Sequence, residues 1–290
     1  PLHRLEPNQA NTVGIRLIPF SDADVRHRSL PVVNIALIGV NALVFVYLFS
    51  SSGTGYLWGG SDLDLEAFFL KWGFIPKELT GGISCTYHLL SSLPDVGCVE
   101  VTSELKGRII PDLAVIQFQG GALLNIESSI PTWATIFSSM FIHVGLIHFA
   151  GNMAFLWVFG DNIEHRLGHF KYLLFYLVSG VIATLSHFAI DPDSQSPLVG
   201  ASGAIAGVVG AYLLLYPFNH IRALVIFYFI TVVELQALVF LGIWFFLQIV
   251  NSLGFLGLSA GVNVAFMAHV GGFVAGIVLI AGFKLAVGEP

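Results

Sequence analysis

Apolar residues along this chain gather into long runs, and length is the first property to read from them. A helix crossing ~30 Å of hydrocarbon at ~1.5 Å per residue needs ~20 apolar residues in succession. Six runs have that character: 31–49, about 143–160, about 171–190, 198–216, one within 223–250, and 263–284. The second opens on a wetter stretch from His143 to His148 and closes at Gly160-Asp161. The fifth is longer than a bilayer needs and contains Glu234. Burying an ionised Glu is costly, so the span is expected to start near Val233, with 221–232 as interfacial backbone.

The pattern predicts an all-α polytopic membrane protein with six transmembrane helices and a long first outer loop. Residues 1–30 form an N-terminal segment, 31–284 the membrane domain with the loop at about 50–142, and 285–290 a tail. Positive residues flanking short segments set the orientation. With the N-terminus inside, the cytoplasmic face receives Arg4, Arg16, Arg26, Arg28, Arg166, Lys171, Arg222 and Lys284, whereas outer loops 191–197 and 251–262 receive none. Both termini are therefore expected in the cytoplasm, in a bacterial plasma membrane, and no cleavable signal peptide is expected ahead of the first run.

Composition agrees. The chain is 56% hydrophobic and 10% charged, against roughly 25% charged for a soluble domain. Its 25 Phe and 31 Gly suit helices packed closely within lipid. A net charge of -6 offers no basic patch for nucleic acid. The only two cysteines, Cys85 and Cys98, both lie in the first outer loop. A zinc ribbon is thereby excluded, while one disulfide and two free thiols both stay open.

Polar groups within spans are expensive, and so are candidates for function. Measured along the helical rise from the outer face, Ser202 lies ~6 Å down span four, His269 ~9 Å down span six, and His148 and Asn152 ~8–14 Å down span two. Four polar side chains on three helices thus share one depth. A serine hydroxyl becomes a nucleophile when an imidazole accepts its proton, and Ser202 with His269 supplies that pair. His148 and Asn152, four residues apart, share a helix face and can donate to a developing oxyanion beside the backbone N–H of Ser202. No Asp inside a span is available to orient the histidine, so a dyad is expected. Alone, Gly200-Ala201-Ser202-Gly203 suits helix packing as well as chemistry, as do Gly203, Gly207 and Gly210 on span four and Gly272 and Gly276 on span six.

Together these residues resemble the rhomboid intramembrane serine proteases. Gly200-Ala201-Ser202-Gly203 resembles the family's nucleophile motif, Ala268-His269-Val270-Gly271-Gly272 with Gly276 its histidine motif, and His148-x-x-x-Asn152 its oxyanion motif. Glu164-x-Arg166-x-Gly168 resembles a further, structural signature. The resemblance covers about 31–284. It implies a rhomboid-like bundle of six helices around a hydrated cavity open to the outside, with transmembrane helices as substrates entering laterally from the bilayer. It also implies that span five and loop 251–262 act as gate and cap, with Trp244 and Phe245 as gate residues. The recess is expected to include His143, Asn152, Ser138 and Ser139. Two positions depart from the family pattern: Trp133-Ala134 stands where Trp-Arg is frequent, and Ala206 stands where an aromatic packs on the histidine.

The activity implied is a serine endopeptidase with no cofactor or metal. A catalytically inactive rhomboid-like protein that captures transmembrane helices is the main alternative, and a transporter a weaker one, since neither repeats nor helices broken at mid-depth are evident. His165-x-x-x-His169 lacks the glutamate of a zinc protease motif. Gly160-Asp161 lacks the second intramembrane carboxylate that an aspartyl protease needs.

Overall fold

The computed structural model describes residues 16–24, 29–60, 63–81, 85–90, 93–98, 109–110, 115–118, 121–125, 130–226, 230–252 and 266–286. In chain order the elements are β1 (Arg16–Asp22), α1 (Val32–Ser52), α2 (Thr54–Leu57), α3 (Leu63–Trp72) and α4 (Pro76–Gly81). Next come β2 (Cys85–Leu90), β3 (Leu93–Cys98), β4 (Ile109–Ile110), β5 (Val115–Phe118) and β6 (Gly121–Asn125). Then follow α5 (Thr132–Phe141), α6 (Leu146–Leu167) and α7 (His169–Ile190). The chain continues through α8 (Ser202–Leu215), β7 (His220–Ile226), β8 (Ile230–Gln236), α9 (Ala237–Ser252) and α10 (Phe266–Ala286).

Among the described residues, α1, α7 and α10 are long and apolar enough to cross a membrane. The α5 and α6 pair passes the same test jointly, bent by 85° at its break, and α8 and α9 are shorter apolar helices. The protein is a mostly helical polytopic membrane protein.

The helical order rests on a buried polar junction at the start of α1. Pro31 offers this helix no side-chain cap. Glu164, 1% exposed, supplies it instead: its carboxylate accepts the N–H groups of Val33 at 2.9 Å and Asn34 at 2.7 Å. A carboxylate at a helix N-terminus satisfies orphan donors and meets the positive end of the dipole. The Asn34 amide then donates to the Leu156 carbonyl at 2.9 Å and accepts from the Tyr172 hydroxyl at 2.8 Å. Leu156 opens a π-helical turn, Leu156–Gly160, within α6, and the Asn34 amide occupies a carbonyl at this widened turn. Gly160 leaves room for this, because a Cβ there would strike Asn34 Oδ1 and the Tyr172 hydroxyl.

α8 is the centre of the bundle, buried at every position from Ala204 to Tyr212, as an all-round apolar helix should be. It packs between α7 and α10 through small residues. A Cβ on Gly207 would meet the Ser179 side chain, one on Gly210 the Phe273 carbonyl, one on Gly272 the Gly203 carbonyl, and one on Gly276 the Gly207 carbonyl. The expected glycine packing of spans four and six is therefore present, with backbones in direct contact.

Two sheets make the chain mostly helical rather than all-α. β1, β7 and β8 form an antiparallel three-stranded sheet in that order. The helix expected as span five accordingly begins at Ala237 and not near Val233, and Glu234 lies in β8, where its carboxylate accepts Arg222 Nε–H across the strands at 3.0 Å. The run from 220 to 236 is dense in Ile, Val, Thr and Phe, which fit a pleated surface better than a helix. The second sheet, β3-β2-β6-β5-β4, lies in the long loop, and its backbone register sets Cys85 opposite Cys98.

Candidate active site

Ser202 is the first residue of α8. The turn that delivers it requires Gly200 at φ 127°, a conformation that side chains disfavour. The strand-like approach is fixed by Phe74 and Leu198, which exchange backbone hydrogen bonds at 3.1 and 2.7 Å, and by Gly200 N–H donating to the Ser139 carbonyl at 2.8 Å. With no side-chain cap on α8, the N–H groups of its first turn, that of Ser202 included, lack an intrahelical acceptor.

One turn into α10, His269 Nε2 lies 2.7 Å from Ser202 Oγ. Its Nδ1 lies 2.8 Å from Gln248 Oε1 on α9. Trp244, one turn before Gln248, tilts over the ring with centroids 6.1 Å apart, and Phe266 meets it edge-on at 6.3 Å.

α6 brings the remaining two groups. His148 Nδ1 faces the Val144 N–H at 3.5 Å, which leaves Nε2 to point at the serine turn: a Cβ built on Gly200 would sit 3.1 Å from Nε2 and 3.6 Å from Ser202 Oγ. Asn152, 8% exposed, donates one amide hydrogen to the His148 carbonyl at 2.9 Å, keeping its second hydrogen for another acceptor.

His148, Asn152, Ser202, Trp244, Gln248 and His269 all line one recess of about 1140 Å³. Among the described residues its walls carry no carboxylate. A hydroxyl against an imidazole, with donors converging beside it, is the equipment of acyl transfer.

The sequence comparisons can be set beside that geometry. A profile of the Rhomboid domain matches residues 131–285. The chain belongs to the rhomboid family. Rhomboid protease GluP of Bacillus subtilis is 30% identical over 153 residues, which cover 53% of this chain and 26% of GluP. Rhomboid-like protein 11, chloroplastic, of Arabidopsis thaliana is 33% identical over 98 residues, 34% of this chain and 35% of the relative. RHOMBOID-like protein 2 of the same plant is 32% identical over 221 residues, 73% of this chain and 60% of the relative. Thus the chain spans between about a quarter and three fifths of the length of these relatives, and proteases are among those named.

As a rhomboid, the chain brings together all four residues expected in its site, Ser202, His269, His148 and Asn152, and adds Gln248, which the sequence reading passed over. Ser139 lines the recess as expected. Ser138 does not: its hydroxyl donates to the Trp72 carbonyl at 2.6 Å, tying α5 to α3. His143 does not either. It is fully buried, its ring 5.1 Å from that of His148, and its carbonyl accepts the Tyr56 hydroxyl at 2.5 Å. Burial pushes the Tyr56 hydroxyl above its ordinary range, so it stays a donor to that carbonyl. Trp244 stands at the recess, whereas Phe245 stacks on Phe273 with centroids 4.0 Å apart and faces α10 instead. Residues 253–262 of the expected cap lie outside the described residues.

Proposed function

We propose that this rhomboid is an intramembrane serine endopeptidase that cleaves transmembrane segments of other membrane proteins through Ser202 and His269. The observation that carries the reading is the 2.7 Å contact between Ser202 Oγ and His269 Nε2 at the wall of an open recess. In the reaction, His269 Nε2 takes the hydroxyl proton as Oγ attacks the scissile carbonyl, and returns it to the departing amine. The oxyanion is met by the Ser202 N–H, His148 Nε2–H and the free Asn152 amide hydrogen. A water molecule, activated by the same imidazole, then releases the acyl group.

The architecture proposed is six spans, α5 and α6 counting as one bent span and α8 and α9 as short ones. α8 has 14 residues and rises only ~21 Å, about 9 Å less than the hydrocarbon thickness. Starting the helix on Ser202 therefore sets the nucleophile below the membrane surface while leaving it open to water. The expected orientation puts this end outside and the β1-β7-β8 sheet in the cytoplasm. Substrate enters between α6 and α9, whose aromatic link comprises Phe155 against Phe240 at 6.1 Å and Trp244 at 5.9 Å. The lipid side of α9 exposes Leu238, Ile243 and Phe246, as a helix in contact with acyl chains does. A substrate helix must unwind to present its carbonyl, which favours segments containing Gly, Ser or Pro.

The test uses purified protein in detergent with a single-span substrate and a fluorophosphonate probe. Wild type cleaves the substrate and is labelled at Ser202, and Ser202→Ala and His269→Ala each abolish both. Cleavage undiminished in either variant would overturn the assignment.

A further inference from the structure

His269 is engaged at both ring nitrogens, and the Ser–His reading explains only one of them. For Nε2 to take the proton of Ser202, the neutral ring must carry its hydrogen on Nδ1. That hydrogen needs an acceptor, and among the described residues no carboxylate lines the recess. The amide oxygen of Gln248 stands 2.8 Å from Nδ1, within ordinary hydrogen-bond range.

The position of Gln248 on α9 adds a second element. Trp244 and Gln248 are four residues apart and share a helix face, one ring packing on the imidazole and one amide bonding to it. Ala206, on α8, is fully buried and, with only a methyl side chain, has no ring to stack on the imidazole. The ring is therefore held at Nδ1 and on one face from α9, beside the Ser202 contact from α8 and the Phe266 edge from α10. A neutral amide suits the task here, since an ionised carboxylate buried at membrane depth would cost several kcal/mol.

We propose that Gln248 is the positioning residue of this site: it fixes the tautomer and plane of His269, completing a Ser202–His269–Gln248 relay assembled only while α9 is seated against α10. The inference rests on the Ser202 and His269 reading above. The proton itself moves only between Oγ and Nε2, and the Nδ1–H bond to Gln248 shortens as the ring becomes positive.

The test compares wild type, Gln248→Leu and Gln248→Glu in the full chain, in detergent, with kcat and KM determined separately. Leu keeps the size and removes the acceptor. Its kcat is expected to fall ~10- to 100-fold, the worth of a hydrogen bond to a charged group, with KM unmoved. Glu keeps a carbonyl acceptor in either protonation state and restores most of kcat. The reverse ranking, Leu active and Glu inactive, assigns the residue to packing and overturns the proposal. An independent readout needs no variant at Gln248: in 15N-histidine-labelled protein, with His269 identified by its loss in His269→Ala, the ring is expected as the Nδ1–H tautomer. An Nε2–H ring in the wild type overturns it as well. Failure of the underlying reading looks different, since Ser202→Ala would then remain active; a full kcat in Gln248→Leu beside a dead Ser202→Ala sinks only the role of Gln248.

Discussion

At Gly200 a missing side chain does two things at once. Its φ of 127° turns the chain into α8, and the space its Cβ would fill is held by the His148 ring, with Cε1 at 2.9 Å. An alanine here is strained by its backbone and displaces the imidazole proposed to meet the oxyanion. Gly200→Ala and His148→Ala are therefore expected to lower kcat alike, by ~10²–10³, as measured on the single-span substrate; a Gly200→Ala enzyme with full kcat would show that His148 Nε2 makes no such contact. The Gly-Ala-Ser-Gly motif was legible as suiting both packing and chemistry, and the structure divides the two, with Gly203 packing against Ala183 and Gly200 making the turn beside His148. Ser202, His269, His148 and Asn152 were found because rarity of polar groups in apolar runs marks them. Gln248 shares that rarity and was missed, because an amide has no reactivity of its own to flag it. Its meaning appears only when α9 folds against α10. Ser138 and His143 stand off the recess for reasons the sequence does not mark: the Ser138 hydroxyl is bonded to the Trp72 carbonyl, and the His143 ring is packed fully buried against those of His148 and Phe149.

Among the elements, α1 depends most on a distant partner. Glu164→Ala leaves the Val33 and Asn34 N–H groups buried without an acceptor and removes the partner of His169 Nδ1, 2.5 Å away. We expect a loss of about 2–4 kcal/mol, seen as a lowered Tm in detergent, with Glu164→Gln intermediate because one acceptor oxygen survives. Equal melting of Glu164→Ala and wild type would mean that water or another group caps α1. The sequence motif around Glu164 could be recognised as structural, yet its target could not, since nothing local links residue 164 to residue 33. Long spans were legible to within a few residues because length and apolarity decide them. The start of α9 was not, because a run of Ile, Val and Phe, though it favours a strand, becomes one only where a partner such as β1 or β7 is present. Glu234, a charge too costly to bury in a span, lies in β8, paired with Arg222.

Taken whole, the molecule has two unlike ends. One holds the recess, and the other holds the β1-β7-β8 sheet, where Asp22 accepts the Tyr212 hydroxyl at 2.5 Å near the last turn of α8. The charge rule predicts that the recess faces outward. In a Cys85→Ser/Cys98→Ser background, Asp193→Cys in the short α7–α8 loop is expected to react with an impermeant maleimide in intact cells, and Asn219→Cys only after permeabilisation. The opposite pattern inverts the topology. The long helices were readable because crossing a bilayer demands length and apolarity, whereas the sheet of the long loop, outside that constraint, left no comparable periodic signature.

The cap on α1 also sets an order in time. Asn34 and Glu164 are separated by 130 positions, and at ~5–20 residues per second a ribosome needs roughly 7–26 s to make that stretch. Throughout that interval α1 lacks the carboxylate that caps its opening turn, and the N–H groups there are left to water. The bundle therefore closes around the start of α1 only after Glu164 has been made, and the polar bonds there join α1 to a helix made 130 positions later.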